Sequence, residues 1–435
     1  MSYNAYITRI KNLRKHINAD RLHVGECFGN FVIVGMDTQD NELGVYFPTD
    51  GRLGMEFCEE NNLLRKKDEN GNQIGGYLEP EKRHVSTIKL RGEQSDGLFM
   101  PLSSLEKFCD TLSLKEGDMV TTLNGILICE KYIPKSNKRN TQGSSKQKNK
   151  KIETETYPLF MKHIDTSQLA YNLGQFKEGD LCSITLKMHG TSQRTSYTIK
   201  EKKKILPYWI YKALEYIKIK LPVKKSWEYI TGTRRVVLKD FDGGFYGSNA
   251  FRKQWHDFFI GKLQKGETVY YEVVGYTESG STIMPECSNK KTKDKEFIKK
   301  YGDTTKFTYG CGVGQSEIYV YRITMTNEDG YVVEYPSHLV KLRCEQMGVK
   351  SCPELDKFIF TSQDDLMHRV NIHADDIDPI GKTHIREGIV VRIDGKEKFT
   401  AYKHKNFHFK VLEGIIKSDD VLDIEEENSA EQNTE

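Results

Sequence analysis

The sequence predicts an α+β protein: a large domain of packed antiparallel sheets with helices, preceded by a small β-barrel. Three observations carry this reading. Residues 135–156, "KSNKRNTQGSSKQKNKKIETET", hold almost no apolar side chain and cannot pack, so they read as a linker. Before that linker, short alternating runs are broken by turn dipeptides. After it, strand-like runs carry charged residues beside apolar ones, which a buried sheet tolerates only for a reason.

Length and composition agree. A chain of 435 residues exceeds one ordinary core, so two domains are expected. Apolar residues at 37% suffice for a packed interior, and no apolar run reaches the roughly 18 residues of a membrane span. The start, "MSYNAYITRIKNLRKH", lacks a secretory core, so a place inside the cell, in the cytoplasm, is expected. Nine cysteines without a CxxC pair or neighbouring histidines read as reduced thiols, neither a disulfide framework nor a zinc site. The formal charge of +3 hides an uneven distribution: basic residues crowd 131–151 and 200–225, and the end, "SDDVLDIEEENSAEQNTE", is acidic. A basic body predicts a polyanionic partner.

In the first part, "LHVGECFGNFVIVGM" reads as two strands around Phe28-Gly29-Asn30. "NELGVYFPTDGRLG" supplies a strand ending at Asp50-Gly51, and "HVSTIKLRGEQSDGLFM" two more around Gly92 to Asp96. Short strands at this spacing make a small barrel. "HINADRLHV" and the "LRGxxSxG" element at Leu90 to Gly97 resemble the oligonucleotide-binding (OB) barrel of the tRNA-binding type over roughly the first 130 residues.

In the second part, "ILPYWIYKALEYIKIKLP" predicts a helix: Ile210, Leu214, Ile217 and Leu221 share a face, and Pro207 and Pro222 fit its ends. The chemistry lies elsewhere. In "GDLCSITLKMHG", alternation puts Ser183, Thr185 and Lys187 on one face, with Cys182, Ile184 and Leu186 on the other. Gly190 then lets the backbone approach a ligand closely. Four further strand-like segments follow. "YITGTRRVVL" offers Arg234 and Arg235, "GETVYYEVVGY" offers Glu272, and "HIREGIVVRID" offers Glu387. "FTAYKHKNFHFKV" offers Lys403 and Lys405, ~7 Å apart by strand rise. Carboxylates, arginines and lysines on strands are expensive to bury without a ligand. A nucleoside triphosphate with a divalent metal resolves the conflict, since cations neutralise phosphates and carboxylates hold metal or sugar hydroxyls.

The ordered set KxHG, GTR, YYE, YVYRI, EGIVV and YKHK resembles the motifs of the covalent lysyl-adenylate nucleotidyltransferases. Histidine in KxHG, with a barrel at the N-terminus, resembles the clade of ATP-dependent RNA ligases that carries an N-terminal OB module. The resemblance implies the following division: an OB nucleic-acid module over 1–133, a basic linker over 134–156, a nucleotidyltransferase domain over 157–415 and an acidic tail over 416–435. It implies Lys187 as nucleophile, Arg234 on the ribose or 5′-phosphate, Glu272 on the ribose hydroxyls and Tyr321 stacked on adenine. Glu387 would support Mg²⁺ or Mn²⁺ at the α-phosphate, and Lys403 and Lys405 would grip that phosphate. Arg194 is expected as an additional phosphate contact. Ser192 departs from the family pattern, where related ligases often carry Asn. "FMKHIDTSQL" is expected to border the adenine pocket, with His163 read either as part of it or as a surface histidine.

The implied reaction is the sealing of 3′-hydroxyl and 5′-phosphate ends in RNA, or in an RNA-containing nicked duplex, at the expense of ATP, by a monomer. An ordinary lysine, with a pKa of about 10.4, is protonated at neutral pH. Neighbouring cations and desolvation must therefore free the Lys187 amine. No segment long enough for a C-terminal OB domain is expected after Lys405, which separates this reading from capping guanylyltransferases and many DNA ligases. DNA sealing, a GTP-using capping enzyme and a catalytically inactive nucleic-acid-binding relative stay open as alternatives.

Overall fold

The computed structural model describes residues 3–49, 51–67, 73–76, 78–132, 155–203, 223–238, 241, 249–292, 294–410 and 412. They fall into two compact units, one ending at residue 132 and the other running from 155 to 412. The predicted helix between Pro207 and Pro222, most of the predicted linker and the acidic tail lie outside the described residues.

The first unit is built of short antiparallel strands, as the turn dipeptides predict. Leu22–Cys27 and Asn30–Gly35 form the expected hairpin, closed by Phe28 (φ 51°) and Gly29 (φ 72°). Positive φ at both central residues matches the right-handed twist of the flanking strands. Thr87–Leu90 and Glu93–Asp96 form a second hairpin around Arg91 and Gly92, also at positive φ. The expected closed barrel is not seen among the described residues, where hydrogen bonding gives separate sheets of two to four strands. The physical reason lies in the first strand. Ala5–Arg9 pairs with Leu43–Phe47, whereas Lys11–Lys15 pairs with Leu22–Cys27. The break between them falls at Ile10, and within the second strand Asn12 turns to φ 55° and the register shifts between Lys11 and Arg14. Ile7, Val45, Phe47, Phe57, Leu105 and Ile128 pack as this unit's core.

The second unit holds two large sheets, antiparallel among their main strands, and a two-stranded sheet. We label its main strands β1 (Leu181–Leu186), β2 (Thr191–Lys203), β3 (Val223–Gly232), β4 (Glu267–Gly275), β5 (Ser316–Thr326), β6 (Glu354–Ile359), β7 (Gly388–Ile393) and β8 (Thr400–Lys405). The larger sheet runs β3-β2-β4-β5 at its centre, and the smaller runs β8-β7-β1-β6. Each buries one face under helices. Helices α1 (Ala250–Phe259) and α2 (Ser337–Met347) cover the larger sheet, where Phe251, Phe259 and Val340 meet Val269, Tyr271, Val273, Ile318 and Val320. Helix α3 (Gln363–Ala374) covers the smaller, where Leu366 and Val370 meet Cys182, Ile184, Ile389 and Val391. Ser362 starts α3 by accepting the N–H of Asp365 with its side chain, with Asp364 and Asp365 in the first turn, as the helix dipole favours.

The alternation predicted for β1 holds: Cys182 and Ile184 enter the core, which leaves Ser183, Thr185 and Lys187 for the opposite face. Two local expectations change. Glu155 and Thr156, placed in the linker by composition, form a short strand paired with Glu201 and Lys202 of β2. Arg234 and Arg235, read as strand residues, sit in the tight connection after β3, because the ladder stops at Gly232.

Candidate active site

The faces turned away from the helices carry Lys187, Lys403 and Lys405 on the smaller sheet and Glu272 on the larger. On the smaller sheet, Lys187 leaves β1 with its backbone N–H bonded to the carbonyl of Gly388 (3.0 Å). Its Nζ lies 2.6 Å from Glu387 Oε1, although the two residues are 200 positions apart. Lys405 Nζ, on β8, is 3.9 Å from the same oxygen, and His189 Nδ1 is 3.5 Å from Oε2. Lys403 lies two residues before Lys405, opposite Val390 of β7. Glu387 is buried, which opposes its charge, yet Lys187, His189 and Lys405 together hold its carboxyl down at about 2. Gly388 makes this contact possible. Its φ is +146°, and a Cβ there would lie 2.1 Å from the carbonyl oxygen of His404.

On the larger sheet, residues directly opposite one another share a face. Ser192 of β2 lies opposite Glu272 of β4, which lies opposite Tyr319 of β5. The β4–β5 register then skips a residue: Tyr271 faces Val320 and Tyr270 faces Arg322. The residue left over is Tyr321, expected from its motif to stack on adenine. A bulge re-aims a side chain in this way. The Tyr321 hydroxyl lies 3.1 Å from Ser192 Oγ, and its ring meets His163 edge-on at 5.1 Å. Ser192, whose role the motif left undefined, is thus a partner of this tyrosine.

His163 is no surface histidine. It packs against Tyr270, Tyr321 and Phe399, and its backbone N–H donates to the carbonyl of Arg234. Burial first, then the guanidinium groups of Arg322 and Arg234, push its imidazole down to about 3, so it is neutral. Two residues on, Asp165 accepts from Arg235 (3.0 Å) and lies 3.6 Å from Arg234.

Arg194 departs from expectation. Its side chain is 2% exposed, stacks on Phe160, and donates to the carbonyls of Thr233 and Arg234. A guanidinium so committed holds the turn carrying Arg234 instead of gripping a phosphate. Burial also pulls its pKa down to about 10.

The structure therefore gathers Lys187, Glu387 and Lys405 in one cluster and Ser192, Glu272 and Tyr321 in another, with Arg234 held beside His163. The bend Lys187–Gly190 joins the two sheets; at Gly190 it runs so close to β4 that a Cβ would lie 2.5 Å from the Val273 carbonyl. The motif histidine, His189, to which sequence reading assigned no individual role, thus joins the Glu387 cluster. Tyr309, whose phenol accepts the His189 N–H at 2.7 Å, was not singled out in the sequence, since a turn residue carries no periodic signal.

No metal-binding group of three His, Cys, Asp or Glu residues converges among the described residues. A magnesium-type ion needs no such cage, being held commonly by one or two carboxylates, substrate phosphates and water. Glu387 fits that requirement.

The fold is that of solved RNA ligases. A lysine-to-methionine mutant of Naegleria gruberi RNA ligase with AMP and Mn matches at TM-score 0.56 and 17% identity, over 94% of this chain and 98% of that one. An apo aspartate-to-alanine mutant of the same ligase matches at 0.57 and 18%, with the same coverage. The Naegleria ligase with PPi matches at 0.54 and 17%, over 92% of this chain and 96% of that one. No family model and no curated protein matches the chain in sequence.

Proposed function

We propose that this protein is an ATP-dependent RNA ligase working through a lysyl-adenylate on Lys187. The observation that carries the proposal is the Lys187–Glu387–Lys405 cluster, a lysine amine 2.6 Å from a buried carboxylate with a second lysine 3.9 Å away. Buried, strongly perturbed titratable groups of this kind cluster at functional sites.

In the first step the Lys187 amine, freed of its proton, attacks the α-phosphorus of ATP, forming a P–N bond and expelling pyrophosphate. AMP then passes to the 5′-phosphate of an RNA strand through a new pyrophosphate linkage, releasing Lys187. A 3′-hydroxyl attacks the activated end, closing the phosphodiester and releasing AMP. Lys403 and Lys405 would stabilise the negative charge that develops on the α-phosphoryl oxygens. Mg²⁺ or Mn²⁺ held by Glu387 would add positive charge at that phosphate and compete with the Lys187 ammonium for the carboxylate. Tyr321 would take the base, Glu272 the ribose hydroxyls, and Arg234 the ribose or the 5′-phosphate. Arg194 and Asp165 would act on Arg234, the one through its backbone and the other through its charge.

The first unit would serve as the OB-type module that engages the polynucleotide. Lys11, Arg14 and Lys15 on an exposed strand support this reading, as does the hairpin tip at Arg91, tied to that strand by the bidentate Arg14–Glu93 pair (2.7 and 2.8 Å). Backbone contacts of this kind give salt-sensitive affinity with little sequence preference.

The test is incubation with α-labelled ATP or GTP and a divalent ion. Wild type is expected to take up label from ATP, lost in acid and kept in base, as a phosphoramidate behaves. Label from GTP alone would point to a capping enzyme, and no adduct with either would point to a non-catalytic relative.

A further inference from the structure

Tyr309 lies in the turn "FTYGCG", residues 307–312, and has no part in the chemistry above. Its φ is 52°, a left-handed conformation disfavoured for a bulky aromatic residue, and its side chain is buried. Backbone strain persists only where the surroundings over-determine it. Here the next residue, Gly310, packs directly against Gly381, where a Cβ would lie 2.5 Å from the Gly310 nitrogen and 2.8 Å from the Tyr309 carbonyl carbon.

The loop carrying Gly381 is itself pinned. Asp378 Oδ2 accepts the backbone N–H groups of Gly381 (2.6 Å) and Lys382 (3.3 Å), and the Asp378 N–H donates to the His384 carbonyl (2.8 Å). The His384 ring meets Tyr309 edge-on at 4.6 Å, and its Nδ1 donates to the Ile385 carbonyl at 2.8 Å. Asp378 and His384 are both fully buried.

All of this delivers one hydroxyl to one place. The Tyr309 phenol accepts the backbone N–H of His189 at 2.7 Å. His189 is two residues beyond Lys187, so the bend after the lysine is fixed at both ends. The Lys187 N–H is tied to Gly388 (3.0 Å), and the His189 N–H to Tyr309.

We propose that Tyr309 is a positioning residue for the Lys187 nucleophile, held in its left-handed conformation by the Asp378–His384 loop. The inference rests on the lysyl-adenylate reading and deepens it by dividing the reaction. Tyr309 serves the step in which Lys187 attacks. It does not serve the final step, in which a 3′-hydroxyl attacks an already adenylylated end and Lys187 is no nucleophile.

Tyr309→Phe removes the acceptor and keeps the ring. Single-turnover labelling with α-labelled ATP should slow about tenfold or more, since small misplacements of a reacting group are costly. The KM for ATP should be unchanged, and a pre-adenylylated nicked RNA should be sealed at the wild-type rate. The His189 amide should exchange its hydrogen faster than in wild type. Asp378→Asn, which keeps the phenol but weakens its supporting loop, should show the same split between the two steps and covers the case of a poorly folding Tyr309 variant. Unchanged labelling in both variants would overturn the proposal. So would a fall in sealing by the same factor as labelling, which is what a general loss of structure produces. Absence of any adduct in wild type would instead remove the ligase reading, and this inference with it.

Discussion

Burial and the neighbouring guanidinium groups displace the pKa of His163 far downward, and the consequence for stability has a definite sign. Its imidazole titrates at about 3 in the folded chain against an ordinary value of 6.5. As pH falls from 6.5 towards 3, the unfolded chain takes up a proton that the folded chain refuses. Stability is therefore full above 6.5 and is lost across that window, at up to about 1.4 kcal/mol per pH unit. His163→Phe should flatten this part of the profile, as chemical denaturation between pH 7 and pH 4 would measure; an unchanged slope would mean the ring is solvated. At this scale the sequence was legible where a motif names a residue, as with Lys187 beside Glu387. It was not legible where two long-range neighbours decide a role. Arg194 looks like any strand arginine until the carbonyls of Thr233 and Arg234 are found around it.

Elements, not single side chains, set the distance between Lys187 and Glu387, and Gly388 is where three strands meet. It begins β7, its carbonyl receives the Lys187 N–H, and it lies opposite Lys405 of β8. Gly388→Ala places a Cβ 2.1 Å from the His404 carbonyl at a φ of +146°. We expect a loss of about 2 kcal/mol or more and a large fall in adduct formation, read by thermal melting and by labelling. Full activity in this variant would contradict the geometry. Alternation predicted the faces of β1, because a period of two is written in the side chains. The skipped register at Tyr321 was not written there: a bulge arises from the pairing of β4 with β5, and each strand alone reads as regular. The connection holding Arg234 was missed for a related reason, since "GTRRVVL" continues the β pattern while the ladder ends at Gly232.

At the scale of the molecule, the two-part division was visible in a composition break, and the fold of the second part in the order of six short motifs. The closed barrel of the first part was over-read, because strand spacing does not reveal the break at Ile10, across which the chain passes from one sheet to another. All residues assigned to lysyl-adenylate formation belong to the second unit, which has its own two cores. A chain lacking residues 1–132 should therefore still form the adduct while sealing nicked RNA poorly; equal loss of both activities would contradict this division of labour. The most direct test of the central claim is peptide mapping of the acid-labile label after incubation with α-labelled ATP and Mg²⁺. AMP is expected on Lys187 in wild type, and the Lys187→Ala variant should stay unlabelled. Label on any other residue, or retained in that variant, would contradict it.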